Sequence, residues 1–388
     1  MIVRLRDGGV SLWDAATGTP VTGELPLDKP AEHHVMSTDA KLVLIGFEDG
    51  AQVFDGTTGA AVSPLLKARL KNDLQTPALF SPDGETAIIF GGSEAFVWRV
   101  RAGQLLARIP TPAREGEEAP PAAFFTRDGA HCFVLDRQGT VTRYDAKSWK
   151  QSGKPMRHPA AELAYEFAFA ATADGKWLAT FDHPGENGPK AHLQLWDATA
   201  NKPLGKPVVA VNGLSAQFLS TSSRVLITPA RGDAHLRELP SSKVAYKTRP
   251  HDDVDGPATT VTPDEKWILT WGNDNRLDIY NAKTGELASN YLGSARIAQV
   301  MFQPDSSFCY VPLDNTAFPN QHLYDHYLVK LTLPKLDVGS VVRIAEYLHR
   351  TSLSPDGRRL LAQQGSTDQE RIVLYDTATL NEIQWPAR

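Results

Sequence analysis

The chain is poor in the residues on which several classes of protein depend. It has two cysteines in 388 residues, Cys132 and Cys309, and each stands in an apolar run, "AHCFVLD" and "SSFCYVP". Two isolated cysteines without CxxC spacing exclude a disulfide framework, so we expect both to be small buried residues of a protein in a reducing compartment. The net charge of −5 is small for this length, and we therefore expect no nucleic-acid partner.

Long apolar segments and catalytic motifs are missing as well. No run approaches the ~18 apolar residues of a membrane-spanning helix, and the start, "MIVRLRDGG", lacks the apolar core of a signal peptide. We therefore expect a cytoplasmic protein with no membrane partner. The sequence has no G-x-S-x-G, no P-loop and no kinase catalytic loop, which predicts a protein without catalytic residues and without a cofactor.

The sequence does contain a polar turn that recurs along its whole length at intervals of roughly 41 to 51 residues. Its eight copies read STDA at 37–40, SPDG at 81–84, TRDG at 126–129, TADG at 172–175, STSS at 220–223, TPDE at 262–265, QPDS at 303–306 and SPDG at 354–357. In SPDG, proline presets φ, aspartate bonds the local backbone and glycine takes the left-handed position, which predicts a tight turn between antiparallel strands.

An aromatic–acid phrase forms a second repeat, in nine copies of varying quality. They are LWD at 12–14, VFD at 53–55, VWR at 97–99, RYD at 143–145, LWD at 195–197, LRE at 236–238, IYN at 279–281, VKL at 329–331 and LYD at 374–376. The runs between the two phrases are short and rich in β-formers, and none has a sustained helical period. We predict an all-β chain with four strands per repeat, named a to d, the polar turn joining a to b and the aromatic–acid phrase ending c.

Repeats of this length are typical of four-stranded antiparallel β-propeller blades, which leave only short strand edges exposed. A β-sandwich would not explain eight turns in fixed register. We predict one propeller over residues 1–388 with about eight blades, seven to nine being possible. Residues 1–27 supply only strands b, c and d, as an extra flap or as the end of a blade that begins upstream; we favour the upstream start, because the chain opens in the middle of a blade. The fuller repeats lie near 31–66, 75–110, 121–156, 160–208, 214–249, 257–292, 297–342 and 349–388.

The SPDG turn, the terminal LWD and the following ATG together resemble the WD-repeat β-propeller family. Phrases such as "LWDATANKPLGKPV" and "GKPMRH" resemble divergent bacterial WD-repeat proteins that are often tethered to serine/threonine kinases. The resemblance implies a non-catalytic scaffold for protein partners, serving as the sensory or recruiting part of a larger bacterial signalling protein. An alternative is a propeller enzyme or a small-ligand or calcium binder that uses acidic residues at the channel mouth.

The same resemblance implies a hydrogen-bonded set of His, Ser/Thr, Asp and Trp that knits a blade. Two repeats match it. The matching residues are His251, Thr270, Asp274 and Tyr280 (in place of Trp) in one repeat, and His158, Thr180, Asp182 and Trp196 in the other. We expect these residues to be structural.

Variation in length is concentrated in the b–c and d–a loops, which a WD-type blade presents on one face, and we expect an unknown protein partner to bind there. The longest insertions are 182–192 and 312–327, and the longer d–a loops are 67–73, 111–121 and 249–257. We predict partner contacts from Phe318, His322, Tyr324 and His326.

Each of these loop features also has a simpler interpretation. Phe318 and Tyr324 could instead pin the long loop against its blade. His322 and His326 are spaced for metal binding on a helix rather than in a loop, and the acidic run "HDDVD" at 251–255 has a structural histidine at its start, so we predict no metal site.

Overall fold

The computed structural model describes all residues except 1, 7, 15–18, 69–77, 113–120, 162–165, 184–189, 212, 221–222, 252–257, 294–295, 315–325, 345–347, 365–370 and 384–388. The regular secondary structure of the described residues consists of β-strands, and no helix is found among them. The chain divides into two compact units, residues 1–209 and residues 210–388.

The first unit holds five sheets. Sheet 1 consists of β1 (Ile2–Arg6), β2 (Gly9–Trp13) and β3 (Pro20–Glu24), and sheet 2 of β4 (His33–Met36), β5 (Leu42–Phe47), β6 (Gly50–Asp55) and β7 (Leu66–Lys67). Sheet 3 consists of β8 (Ala78–Phe80), β9 (Thr86–Gly91), β10 (Glu94–Arg99) and β11 (Gln104–Pro110), and sheet 4 of β12 (Ala122–Phe125), β13 (His131–Leu135), β14 (Thr140–Asp145) and β15 (Met156–Arg157). Sheet 5 consists of β16 (Glu166–Ala171), β17 (Trp177–His183), β18 (Ala191–Asp197) and β19 (Lys202–Ala210).

The second unit holds four sheets. Sheet 6 consists of β20 (Leu214–Leu219), β21 (Arg224–Pro229), β22 (His235–Glu238) and β23 (Lys243–Lys247), and sheet 7 of β24 (Ala258–Val261), β25 (Trp267–Trp271), β26 (Arg276–Asn281) and β27 (Leu287–Leu292). Sheet 8 consists of β28 (Arg296–Ile297), β29 (Met301–Phe302), β30 (Phe308–Asp314), β31 (His326–Thr332) and β32 (Val338–Ile344). Sheet 9 consists of β33 (Leu348–Leu353), β34 (Arg359–Gln364), β35 (Arg371–Asp376) and β36 (Glu382–Ile383).

Each sheet is a meander in which consecutive strands pair antiparallel. In sheet 3, Trp98 of strand c lies opposite Ala87 of strand b and Leu105 of strand d. Sheet 8 follows the same plan, because β28 and β29 both pair with β30 as two pieces of one first strand. The prediction of an all-β chain of four-stranded antiparallel repeats is confirmed. The predicted repeat limits and the single domain over 1–388 stay predictions.

The polar turns between strands a and b of sheets 2, 3, 4, 5, 7 and 9 share one hydrogen-bonding pattern. In sheet 3 the Ser81 hydroxyl donates to Asp83 Oδ1 over 2.6 Å, and the Gly84 N–H donates to the Ser81 carbonyl over 2.9 Å. Gly84 has φ +72°, the left-handed conformation that glycine adopts without strain. The same hydroxyl–carboxylate bond, 2.6 to 2.7 Å long, joins Ser37 to Asp39, Thr126 to Asp128, Thr172 to Asp174, Thr262 to Asp264 and Ser354 to Asp356.

In sheets 2, 4, 5, 7 and 9, the turn between strands c and d is fixed by the aspartate or asparagine that ends strand c. Asp145 Oδ1 accepts bonds of 2.7 Å from both the backbone N–H and the hydroxyl of Ser148. These bonds hold the pKa of Asp145 below its usual value. Asp55, Asp197, Asn281 and Asp376 cap their own turns in the same way.

The core lies between successive sheets. Ile88 and Ile89 are neighbours on strand b of sheet 3, point to opposite faces and are both fully buried. Ile89 packs with Leu44 and other residues of sheet 2, whereas Ile88 packs with Cys132 and other residues of sheet 4. Burial of such a side chain contributes about 1.5–3 kcal/mol. An inner strand therefore needs a neighbour on each side, which explains its nearly continuous apolar sequence.

Hydrogen bonds also join one sheet to the next. The carbonyl of the residue that follows the aspartate or asparagine at the end of strand c accepts a bond from a long polar side chain of the preceding sheet. Arg143 donates to Ala198 over 3.0 Å, Tyr246 to Ala282 over 2.8 Å and Lys330 to Thr377 over 3.2 Å. Because burial outweighs a nearby arginine, the pKa of Tyr246 rises to about 12.

Gly285 offers a test of the packing between sheets 6 and 7. Its φ is +77°, and an added Cβ would overlap the ring of Tyr246. We predict that Gly285→Ala lowers the free energy of unfolding by about 2–4 kcal/mol, the sum of left-handed strain and overpacking. Urea titration followed by tryptophan fluorescence measures it.

Gly92 is the matched control. Its φ is +61°, and no atom lies within 4 Å of an added Cβ, so Gly92→Ala should cost only the backbone strain of about 1–2 kcal/mol. Equal losses for the two variants would show that the Tyr246 contact contributes nothing.

Candidate functional site

A buried histidine links the d–a segment, strand b and the b–c turn of sheet 7. His251, in the d–a segment, lies with Nδ1 2.9 Å from Asp274 Oδ1 and with Nε2 2.8 Å from the Thr270 hydroxyl. Asp274 lies in the b–c turn and Thr270 on β25, so one imidazole joins three parts of the repeat. The structure thereby brings together His251, Thr270 and Asp274, as the family resemblance implies.

Tyr280 belongs to a second, charged part of this network. Its hydroxyl donates to Asp278 over 3.1 Å and accepts the backbone N–H of Arg249 over 3.0 Å. Asp278 is fully buried, and its carboxylate lies 2.8 Å from the guanidinium of Arg249 and 3.2 Å from that of Arg276. Two arginines therefore compensate a carboxylate that burial alone would disfavour.

Asp274 shares one of those arginines. Burial acts against ionisation of Asp274, yet the hydrogen bond from His251, together with the backbone N–H and the charge of Arg276, holds its pKa below the usual value. The His251 Nδ1 faces this carboxylate and is therefore the protonated nitrogen, and Nε2 accepts the Thr270 hydroxyl.

Sheet 5 carries the second network, in which Nδ1 of the imidazole, rather than Nε2, lies against the threonine hydroxyl. His158 Nδ1 lies 2.8 Å from the Thr180 hydroxyl, and the Trp196 indole donates to the same hydroxyl over 3.0 Å. Because Nε2 is the nitrogen that faces the Asp182 carboxylate, the neutral imidazole carries its proton there, and Nδ1 accepts a hydrogen bond from the Thr180 hydroxyl. Burial lowers the pKa of His158 to about 4, and the nearby Asp182, 3.9 Å from Nε2, opposes that shift only in part.

Asp182 of sheet 5 has a further partner at the start of strand c. Both the backbone N–H and the imidazole Nδ1 of His192 bond to the Asp182 carboxylate, the latter over 3.2 Å. The carboxylate is buried, whereas His192 reaches the surface. The two networks thus place a carboxylate at the b–c end of sheets 5 and 7, buried in the case of Asp182 and partly exposed in the case of Asp274.

The order Asp274–His251–Thr270 is that of an acid, base and nucleophile in hydrolases. Its chemistry is blocked by burial, because the Thr270 side chain is 0% exposed and the His251 side chain is also 0% exposed. No substrate carbonyl reaches such a hydroxyl. The networks can hold loops and strands in place, and they present no nucleophile to solvent.

The predicted partner-binding residues divide into two groups. Phe318, His322 and Tyr324 lie outside the described residues. His326 is the first residue of β31, opposite Asp314 and Ile344, and it is 2% exposed. It is thus placed in the interior of sheet 8 rather than on a surface that a partner could reach.

Several residues of the networks were not predicted from the sequence, namely Asp278, Arg249, Arg276 and His192. The available signal was Asp278, a charged residue two positions before Tyr280 on the same face of strand c. Among the described residues, no three His, Cys, Asp or Glu side chains are grouped to hold a metal ion. None of the described segments is a helix long and apolar enough to span a membrane.

No family model and no curated protein matches the chain. Solved structures do resemble it. A structure titled as the eukaryotic initiation factor has a TM-score of 0.71 at 15% identity, over 98% of this chain and 94% of that one. The C-terminal WD40 domain of Sif2 has a TM-score of 0.55 at 14% identity, over 89% and 97%. Dihydro-heme d1 dehydrogenase NirN has a TM-score of 0.52 at 14% identity, over 98% and 72%. At these identities the likeness establishes the fold, a β-propeller built of four-stranded antiparallel blades.

We predict that Thr180→Val destabilises the protein more than Thr270→Val. Valine keeps the shape of threonine but leaves His158 Nδ1 and the Trp196 indole N–H without a partner in sheet 5, and only His251 Nε2 without one in sheet 7. Each buried group left unsatisfied costs about 1–3 kcal/mol. Urea titration gives both losses, and Thr→Ser at each position should recover most of them. Wild-type stability of Thr180→Val would contradict this account of the network.

Stability should fall on acidification from pH 7 to pH 5. The folded His158 stays neutral down to about pH 4, whereas unfolded histidine takes up its proton near pH 6.5. The unfolded chain therefore binds more protons below pH 6.5, and by linkage the loss is about 2 kcal/mol at pH 5. Burial lowers the pKa of His33, His34 and His235 in the same direction.

The measurement is urea titration at both pH values for wild type and His158→Gln. The variant should lose less stability than wild type between pH 7 and pH 5, since glutamine does not titrate. An identical pH dependence in both proteins would exclude His158 as a source of the effect.

Proposed function

We propose that the chain is a non-catalytic platform for protein partners, which bind the loop side formed by the b–c and d–a segments. One observation carries the proposal: the two ends of the sheets differ. At one end, most a–b and c–d turns repeat the same side-chain hydrogen bonds. At the other end, the b–c segments range from 48–49 in sheet 2 to 315–325 in sheet 8. Variable loops on a rigid scaffold are the usual location of binding.

Burial of the histidine networks supports the absence of catalysis, because the hydroxyls of Thr180 and Thr270 and the imidazoles of His158 and His251 are out of reach of a substrate. NirN is an enzyme by its title, yet its likeness to this chain concerns the fold, and one fold serves many functions. The rigid carboxylate–imidazole links beneath the loop side suit a binding platform, since they fix the bases of the loops and reduce the entropy lost when a partner binds.

We further propose that the platform is the recruiting part of a larger bacterial signalling protein in the cytoplasm, for example one that carries a serine/threonine kinase domain. The support is the sequence of residues 195–208 and 153–158, which resembles sequences of kinase-tethered bacterial repeat proteins. The partner would then be a substrate or regulator of the attached domain.

The test replaces residues 315–325 with Gly-Ser, the two-residue b–c connection that sheet 3 has at 92–93. Wild-type chain is cross-linked in its native cells, and the cross-linked peptides of its partners are identified by mass spectrometry. We expect cross-links to b–c and d–a segments in wild type, and at least a tenfold loss of them in the replaced variant.

A variant with Lys147→Glu and Lys283→Glu is the control, because both lysines are exposed on c–d turns at the opposite end. It should keep the cross-links of wild type. Cross-links that map to the c–d turns and disappear in this control would place the partner on the wrong end for our proposal.

A further inference from the structure

Among the described strands, the last strand of each sheet pairs on one side only, and most of the open edges are protected. Exposed edges invite pairing with another chain unless they are short or carry proline or charge. Strands β7, β15 and β36 have two residues each. The longer ones carry proline or charge: Pro20 and Glu24 on β3, Arg108 and Pro110 on β11, Lys202, Pro203, Lys206 and Pro207 on β19, Lys243 and Lys247 on β23, and Arg343 on β32.

Strand β27 of sheet 7 has none of these protections. Its six residues, LASNYL, include no charge and no proline. The β-bulge at its start is shared with β11, β23 and β32 and therefore does not set it apart. After the bulge, Ser289 to Leu292 pair in regular register with Ile279 to Arg276, which leaves their other edge unpaired by any described strand.

The side chains on one face of β27 are also exposed. Leu292 is 72% exposed and Leu287 is 39% exposed, although both are large and aliphatic. On the opposite face, Tyr291 packs against the core shared with sheet 8, and the Ser289 hydroxyl donates to the Lys335 carbonyl over 2.7 Å. One face of the strand is therefore held by contacts with sheet 8, whereas its outer edge and the face that carries Leu287 and Leu292 are open to solvent.

We propose that β27 pairs antiparallel with β27 of a second copy of this chain, which joins two copies of sheet 7 into one continuous sheet. Two identical edges pair antiparallel about a two-fold axis perpendicular to the sheet. With the axis at Asn290, each Asn290 faces its symmetry mate, Ser289 faces Tyr291, and Ala288 faces Leu292.

The absence of charge favours β27 over β23 as a self-pairing edge. No charged side chain opposes another in the β27 pair, and the exposed Leu292 gains an apolar neighbour. The same operation on β23, with its axis at Ala245, would place Lys243 against Lys247, and like charges opposite each other destabilise a strand pair. The prolines of β19 lack the N–H groups that pairing requires.

Sedimentation velocity between 1 and 100 µM tests the proposal on the full chain. We expect wild type to shift from monomer to dimer over this range, and Asn290→Lys, which puts two lysines at the axis, to stay monomeric. Ala245→Lys on β23 is the matched control, because it adds the same exposed charge to a last strand of the same unit, and it should dimerise as wild type does. Leu292→Glu should weaken the dimer at least tenfold, and circular dichroism confirms that each variant is folded.

A wild-type chain that stays monomeric at 100 µM would overturn the proposal. So would a dimer that survives both Asn290→Lys and Leu292→Glu, one that Val341→Lys on β32 dissolves instead, or assembly beyond two copies. Pairing at this edge leaves the strand ends free, so its failure would not bear on the binding platform proposed above.

Discussion

The structure depends on the burial of both faces of an inner strand where its sheet lies between two others. Ile88 and Ile89 show the constraint most directly, since adjacent residues of one strand are fully buried in two different clusters. In the second unit, Ile268 and Leu269 divide in the same way between the clusters on either side of sheet 7. A sheet that must be covered on both sides has no stable existence alone, which accounts for a chain made of many copies of one pattern.

Polar groups adapt to that constraint in two ways. At the turn end, each aspartate bonds its own backbone and needs no other sheet. At the loop end, sheets 5 and 7 place a histidine under the loops, whereas Ile89 in sheet 3 and Val134 in sheet 4 stand where Thr180 stands in sheet 5. Apolar packing thus replaces the hydrogen bonds in those two sheets. The proposed binding role uses this division, with fixed turns at one end and supported variable loops at the other.

The sequence predicted the strands well because their turns are local. Ser81, Asp83 and Gly84 form a closed set of bonds within four residues, so their pattern is readable without the rest of the molecule. The histidine networks were predictable only through resemblance, since His251 and Asp274 are distant in sequence. The pairing of Asp278 with Arg249 and Arg276 was not foreseen, because period-two alternation marks a strand face without showing which charges meet there.

His326 illustrates a different limit. Its neighbours His322, Tyr324 and Asp325 read as a loop, but a strand begins at His326 and turns its side chain into sheet 8. A strand boundary is set by pairing with Asp314, which lies across the insertion and has no local signature. Lys330 likewise occupies the usual aromatic position, and its contacts with Phe308 and the Thr377 carbonyl become evident only in three dimensions.

Native-state hydrogen exchange is the most direct test of the central claim that no sheet is stable without its neighbours. Within each unit, the amides of strands b and c in all sheets should exchange with one common free energy of opening, because loss of one sheet uncovers the next. A sheet whose inner strands exchange at a clearly lower free energy, while its neighbours stay protected, would show that the sheets fold independently and would contradict this account.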